Sequence, residues 1–301
     1  MAEQVDLSEK VKTCFAVYSS ELRGNSAMQL IKRYARVSPD LELYYEEAGA
    51  GAPIIFNPGW IGTTEFFHPQ LAHFSKHYRA ISYDPRSHGR LSNTLENNNY
   101  LQHGADLAAF IESLGLKDVI LVAHSWGCHD VYAYLRSYGT ENVKAIVFID
   151  STPKYIVDRD ADWGLIKSPN DMKAYVHELS YDRANMTREF FQSMVTRPMT
   201  EEEKDWFVDQ TLKTPTYVAL LLGFDGNLPD FTNEARMIDG KIPVLNVLAE
   251  PGWYEGWTES GRAWLRENAP HSEVVAFGLH MMFWEFPDKF NAVVDAFLSK
   301  I

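Results

Sequence analysis

The sequence predicts an α/β protein: a mostly parallel, doubly wound sheet with helices on both faces and a helical cap inserted into it. Three observations carry that expectation. Short continuous apolar runs rich in Ile and Val recur along the chain, as strands buried on both faces require. Stretches with helical periodicity stand between them, and such alternation implies a parallel sheet. The alternation breaks once, over residues 155–240, where no clear strand pattern occurs.

Taken in order, residues 1–29 read as a polar, partly helical extension without a motif. The predicted strands are Leu41–Tyr45, Pro53–Phe56, Ala80–Tyr83, Val119–Ala123, Ala145–Ile149, Val244–Leu248 and Val274–Phe277. Each of the middle runs stops at a turn: Asn57-Pro58-Gly59, Asp84-Pro85, His124-Ser125-Trp126-Gly127 and Asp150. Helices are predicted over Gln102–Leu114, with Leu107, Phe110, Ile111 and Leu114 on one face, and over His129–Tyr138, Thr258–Asn268 and Pro287–Leu298. Pro287 suits a first helical position. The expected organisation is therefore an extension over 1–29, a core over 30–154 and 241–301, and a cap over 155–240 that is rich in Met and aromatic residues.

Composition excludes several classes. At 46% hydrophobic and 23% charged, the 301-residue chain is not disordered as its main state. No run approaches 18 apolar residues, so no membrane span is expected. The N-terminus carries acids early and has no apolar stretch of the secretory kind. With 28 Lys and Arg against 41 Asp and Glu, the net charge is −13, and an acidic surface repels phosphate backbones, so nucleic acid is not an expected partner. The two cysteines, Cys14 and Cys128, form neither a disulfide framework nor a zinc motif, and a cytoplasmic location is the default. Residues 1–29 are a candidate association segment, a homodimer being one assembly they would allow.

Four motifs point to chemistry. Ala123-His124-Ser125-Trp126-Gly127 places a serine between a strand and a helix, with small residues two positions away on each side. Such a sharp turn lifts a nucleophile above the sheet and aims the helix's first amides at the reacting centre. The plain alternative is that Ser125 caps the helix. His280, between the last strand and the last helix, is where a general base could reach that serine. The acid that would orient it is Asp150, directly after the 145–149 strand, with Glu250 after the 244–248 strand as the alternative; Pro251-Gly252 reads as a turn, which favours Asp150. Asn57-Pro58-Gly59-Trp60 supplies a loop whose Trp60 amide, with that of Trp126, would form an oxyanion hole. Gly59, His124, Trp163, Phe190 and Trp206 complete the expected substrate contacts, although cap aromatics also serve as ordinary core.

With these residues in view, the chain from about Leu41 to Ile301 resembles the α/β-hydrolase fold superfamily. Tyr83-Asp84-Pro85-Arg86-Ser87-His88-Gly89-Arg90 is similar to that superfamily's D-x-R-G-x-G-x-S loop, with Ser92 one place late, and is expected to be structural. The resemblance implies a serine hydrolase of a small, largely apolar ester or lactone, with a small molecule as its partner and no metal or cofactor. Pro58-Gly59-Trp60, His124-Ser125, the acid after the next strand and Pro153-Lys154 also resemble the cofactor-independent 3-hydroxy-4-oxoquinoline-type 2,4-dioxygenases. That second resemblance would make His280 and Asp150 the base that deprotonates the substrate, with Ser125 a hydrogen-bonding contact. Trp126 stands where that family can carry His. A binding protein without catalysis is the third reading, against which the intact Ser, His and acid set argues.

Overall fold

The computed structural model describes residues 29–90, 93–159 and 162–301. The proposed association segment, apart from its last residue, lies outside the described residues. Among the described residues eight strands form one sheet: β1 (Ile31–Ser38), β2 (Leu41–Ala48), β3 (Pro53–Asn57), β4 (Arg79–Tyr83), β5 (Val119–His124), β6 (Val143–Ile149), β7 (Val244–Leu248) and β8 (Glu273–Ala276). Their order across the sheet is β1-β2-β4-β3-β5-β6-β7-β8. The pairs β1–β2 and β2–β4 are antiparallel, and every other pair is parallel.

Alternate strand residues feed two cores. Ile55, Ile81, Leu121, Ala123 and Phe148 point to one face, where α2 (Tyr100–Ser113), α3 (Gly127–Tyr138) and α9 (Trp257–Asn268) pack. Ile54, Phe56, Val122, Val147 and Val247 point to the other, against α1 (His68–Phe74) and α11 (Pro287–Leu298). Because both faces are covered, β5 is buried at all six positions, and a continuous apolar run is its sequence form. Asn99 caps α2 by accepting the Gln102 amide at 2.9 Å.

Among the elements absent from the sequence expectation are β1 and α1. β1 is an edge strand with only one buried position, so it shows no apolar run; Lys32 and Arg33 reach across to Glu46 and Glu47 of β2 instead. The short α1 follows a 3-10 turn at Thr64–Phe67 and is too brief to display a helical period.

Among the described residues five helices lie between β6 and β7: α4 (Pro169–Tyr181), α5 (Arg183–Ser193), α6 (Glu201–Thr211), α7 (Thr216–Asp225) and α8 (Thr232–Ile238). Thr200 and Glu203 close a reciprocal capping box at the start of α6. The short α10 (Met282–Glu285) precedes α11. Among the described residues no helix is long and apolar enough to cross a membrane.

Candidate active site

The functional candidates sit at the carboxyl ends of β3, β5 and β6 and just beyond β8, the rim where open α/β sheets bind ligands. Ser125 occupies the turn from β5 into α3 with φ of 54°, left-handed for a non-glycine residue. That conformation costs on the order of 1–3 kcal/mol and persists only where the surroundings enforce it. The Ser125 amide donates to Ile149 O at 2.9 Å, and Ser125 O accepts from the Cys128 amide at 2.9 Å. The turn is also tightly covered. A Cβ on Gly127 would stand 2.4 Å from Pro58 O, and one on Gly59 would stand 2.8 Å from Ser125 Cβ. Glycine at both positions lets the β3 loop lie directly on the serine turn. The helix begins at Trp126 with no side-chain cap, so the Ser125 hydroxyl is not spent as a helix cap.

Asp150 directly follows β6 and also has positive φ, 45°. Its carboxylate is buried and meets four N–H donors. Oδ1 accepts from the Ala249 amide and from Trp257 Nε1, each at 2.9 Å. Oδ2 accepts from Trp253 Nε1 at 2.9 Å and from His280 Nδ1 at 2.6 Å. Four donors fit the acceptor-only character of an ionised carboxylate. With Nδ1 donating, the neutral His280 ring keeps its lone pair on Nε2. Glu250 is exposed at the start of the next loop, and among the described residues its carboxylate makes no contact with His280. Instead of an acid, that loop contributes the Trp253 indole, and the helix it leads into begins with Trp257.

His124 borders the same space. Its Nε2 donates to His280 O at 3.1 Å, and its ring lies 4.4 Å from the His280 ring and 4.7 Å from Phe283. Burial, then the nearby His280, holds its pKa well below the ordinary histidine value. His124 is therefore a neutral brace for the His280 backbone as well as a wall residue.

Gly59, Trp60, His124, Ser125, Trp126, Phe190 and His280 all line one cavity of about 210 Å³. Among the described residues the Ser125 hydroxyl makes no hydrogen bond, so the contact with His280 is not closed in this conformation. Catalytic contacts of this kind often tighten only with substrate bound. The rest of the wall is mostly apolar, and includes Phe66, Tyr155, Leu165, Ile166, Phe191, Trp253 and Met281. Trp60 ties this wall to α7 by donating from Nε1 to Ala219 O at 2.9 Å.

Two expected contacts are corrected. Trp163 is 2% exposed and packs on Trp257, with ring centres 5.0 Å apart, inside the sheet's first core. Trp206 lies near-parallel to Trp284 and against Phe66, behind the wall rather than on it. Composition marks such residues as aromatic but says nothing of which side of a helix layer they face. Conversely, Trp253, Tyr155, Asn227 and Trp257 were not anticipated. The four-residue spacing of Trp253 and Trp257, straight after β7, was the available signal.

A polar chain lies beneath the loop and the serine turn. Asn57 Nδ2 donates to Gly127 O at 2.7 Å and to Asp130 Oδ2 at 3.1 Å. Asp130 Oδ1 is 3.3 Å from His103 Nδ1. His88 Nδ1 donates to Arg86 O at 2.8 Å, and its Nε2 accepts the Ile61 amide at 3.2 Å. The motif at 83–90 thus braces the backbone next to Trp60, in keeping with its expected structural role. Among the described residues no three His, Cys, Asp or Glu side chains gather as metal ligands would.

These buried imidazoles make the fold acid-sensitive. Burial lowers His129 from 6.5 to about 3. Burial, with His103 second, lowers His88 from 6.5 to about 3. The unfolded chain therefore binds more protons than the folded one from about 6.5 down to about 3, and stability falls as pH falls through that window. Asp84, raised by burial from 3.8 to about 6, opposes this between those values, as do Asp130 and Asp225, both raised by burial, while His124 and the lowered carboxylates Glu46, Glu65 and Glu203 act in the same direction as His88 and His129. Urea midpoints taken from about pH 7.5 to about pH 4.5 are expected to fall steadily; a level or rising series would contradict the assignment.

Comparison with known proteins agrees with this architecture. The alpha/beta hydrolase fold family model matches residues 52–287. The non-heme chloroperoxidase CPO-A1 of Kitasatospora aureofaciens is 30% identical over 280 residues, covering 86% of this chain and 97% of that protein. A non-heme haloperoxidase of Rhodococcus erythropolis is 32% identical over 130 residues, covering 43% of this chain and 47% of that one. Among solved structures, a bromoperoxidase from Bacillus anthracis superposes with a TM-score of 0.81 at 23% identity, covering 89% of this chain and all of that one. An enol-lactonase from Burkholderia xenovorans does so with 0.74 at 18% identity, covering 89% of this chain and all of that one. At such identities the structural likeness speaks for the fold. The family match spans both halves of the sheet and the turns that carry Ser125, Asp150 and His280, and the chain belongs to the alpha/beta hydrolase fold family.

Proposed function

We propose that this protein is a serine hydrolase acting on a small, largely apolar ester or lactone. The observation that carries the reading is the His280–Asp150 hydrogen bond of 2.6 Å, with His280 and the strained Ser125 facing one cavity. Ser125 Oγ attacks the acyl carbon while His280 Nε2 takes its proton. The amides of Trp60 and Trp126 hold the oxyanion. The tetrahedral intermediate collapses, His280 returns the proton to the leaving alkoxide, and an acyl-Ser125 remains. Water, deprotonated by His280, then releases the acid. Asp150 keeps the imidazole oriented and stabilises its protonated form. Helices α4–α8 act as the cap over this chemistry, with Phe190 and Phe191 forming the apolar face for the substrate. The relative named a non-heme chloroperoxidase, 30% identical over most of both chains, supports an enzyme of this general kind.

The test is intact mass after treatment with a fluorophosphonate, with Ser125→Ala as control. One adduct, absent in the variant, is the expected result. No adduct on the unmodified chain would overturn acyl-enzyme chemistry. Oxygen uptake with hydroxylated heteroaromatics would then be the next measurement, as the dioxygenase resemblance requires.

A further inference from the structure

Asn227 lies just beyond the C-terminal end of α7, on the cavity wall and 5% exposed. Its preceding residue, Gly226, is pressed against Trp126: a Cβ there would come within 2.6 Å of the indole. That contact fixes Asn227 beside the serine turn. Asn227 Nδ2 donates to Gly223 O at 2.7 Å. A carbonyl can only accept, so the amide's orientation is determined and Oδ1 is the arm left over. Among the described residues Oδ1 has no partner, and it is not sealed within protein. The cavity is the open space that Asn227 borders.

The charges around that cavity narrow the ligand further. Among the described residues no Lys or Arg lines it, and its one carboxylate is that of Asp171, an acceptor at the exposed start of α4. Asp171 Oδ2 already accepts the Lys167 and Ser168 amides. An anionic ligand would therefore find no counter-charge and one like charge. A neutral ligand without a donor would bury Oδ1 unsatisfied, which costs about tenfold or more in affinity. In a mostly apolar pocket, a fixed polar group sets orientation.

We propose that Asn227 is a specificity-determining residue, and that the substrate is a small uncharged acyl compound whose hydroxyl or N–H donates to Asn227 Oδ1. The substrate class rests on the hydrolase reading above; the donor requirement does not. The experiment compares the three hydroxyphenyl acetates with the matching tolyl acetates, each rate normalised to hydroxide hydrolysis. At least one hydroxyl isomer is expected to exceed its tolyl partner in kcat/KM by about tenfold. Asn227→Leu should bring that ratio near one, lowering kcat/KM for the hydroxyl isomer about tenfold more than for its tolyl partner. Asn227→Asp, which retains an acceptor but loses the donation to Gly223, should keep the preference; equal losses on both esters in both variants would mean a merely structural role and overturn the proposal. So would the absence of any preference in the unmodified protein. If no ester is turned over, the hydrolase reading fails, and calorimetric binding of cresols against xylenes decides the donor requirement by itself: tighter cresol binding that Asn227→Leu abolishes supports it, and equal binding overturns it.

Discussion

Asp150→Asn is expected to lower kcat/KM for a turned-over ester by about 10⁴-fold, whereas Glu250→Gln should leave it within about twofold. The asymmetry follows from the donors around Asp150. Each carboxylate oxygen accepts two N–H groups: Ala249 and Trp257 on one, Trp253 and His280 on the other. An amide has one accepting oxygen. With its NH₂ toward His280, the imidazole must accept on Nδ1 and carry its proton on Nε2, which removes the base from the Ser125 side. With its NH₂ turned the other way, it meets the Ala249 amide and the Trp257 indole, donor against donor in a buried space. Both arrangements are poor, and a buried unsatisfied donor costs about 1–3 kcal/mol in stability besides. Steady-state kinetics alongside a thermal melt would separate the two effects. If Glu250→Gln proved the more damaging, the acid would have been assigned to the wrong strand.

Ser125→Ala should remove at least about 10³-fold of kcat, and His280→Ala a comparable amount. The two losses are not expected to add. Nucleophile and base act in one step, so once either is gone the other has nothing left to assist. The double variant should therefore resemble the worse single one, retaining only what binding and the oxyanion donors provide. Turnover retained in Ser125→Ala would end the covalent mechanism; additive losses would mean that the two residues act in separate steps.

The sheet was legible because most of its strands lie between two helix layers. Burial on both faces forces residues 119–123 and 145–149 to be apolar throughout, and the observed β5 and β6 extend those runs by only one or two residues. β1 was not legible for the opposite reason: three of its eight positions are Lys or Arg, and its partner strand supplies the acids that answer them. The Ser125 and His280 turns could be read from position alone. Both residues stand past the end of a strand with a helix to follow, and small neighbours flank the serine, a setting that suits a reactive side chain better than a packed one. The indole donors to Asp150 could not be read in this way. A tryptophan in a loop looks like core, and nothing local says that its N–H will be spent on a carboxylate from another strand. Trp163 and Trp206 show the converse error, in which abundance of aromatics in one segment is taken for a ligand surface.

The separation of Ser125 and Asp150 from His280 along the chain has a consequence for how activity emerges during synthesis. The first two stand at the ends of adjacent strands and are made early, whereas His280 lies 130 positions beyond the acid it binds, just past the last strand. Long-range partners are the last to be brought together, and a nascent chain presents its N-terminal portion first. On the proposed mechanism, the serine and its acid can be in place on a growing polypeptide without any capacity to attack an ester. Maturation would then be switched on by docking of the C-terminal strand, and a chain cut short before residue 280 would be a folding intermediate with a silent nucleophile.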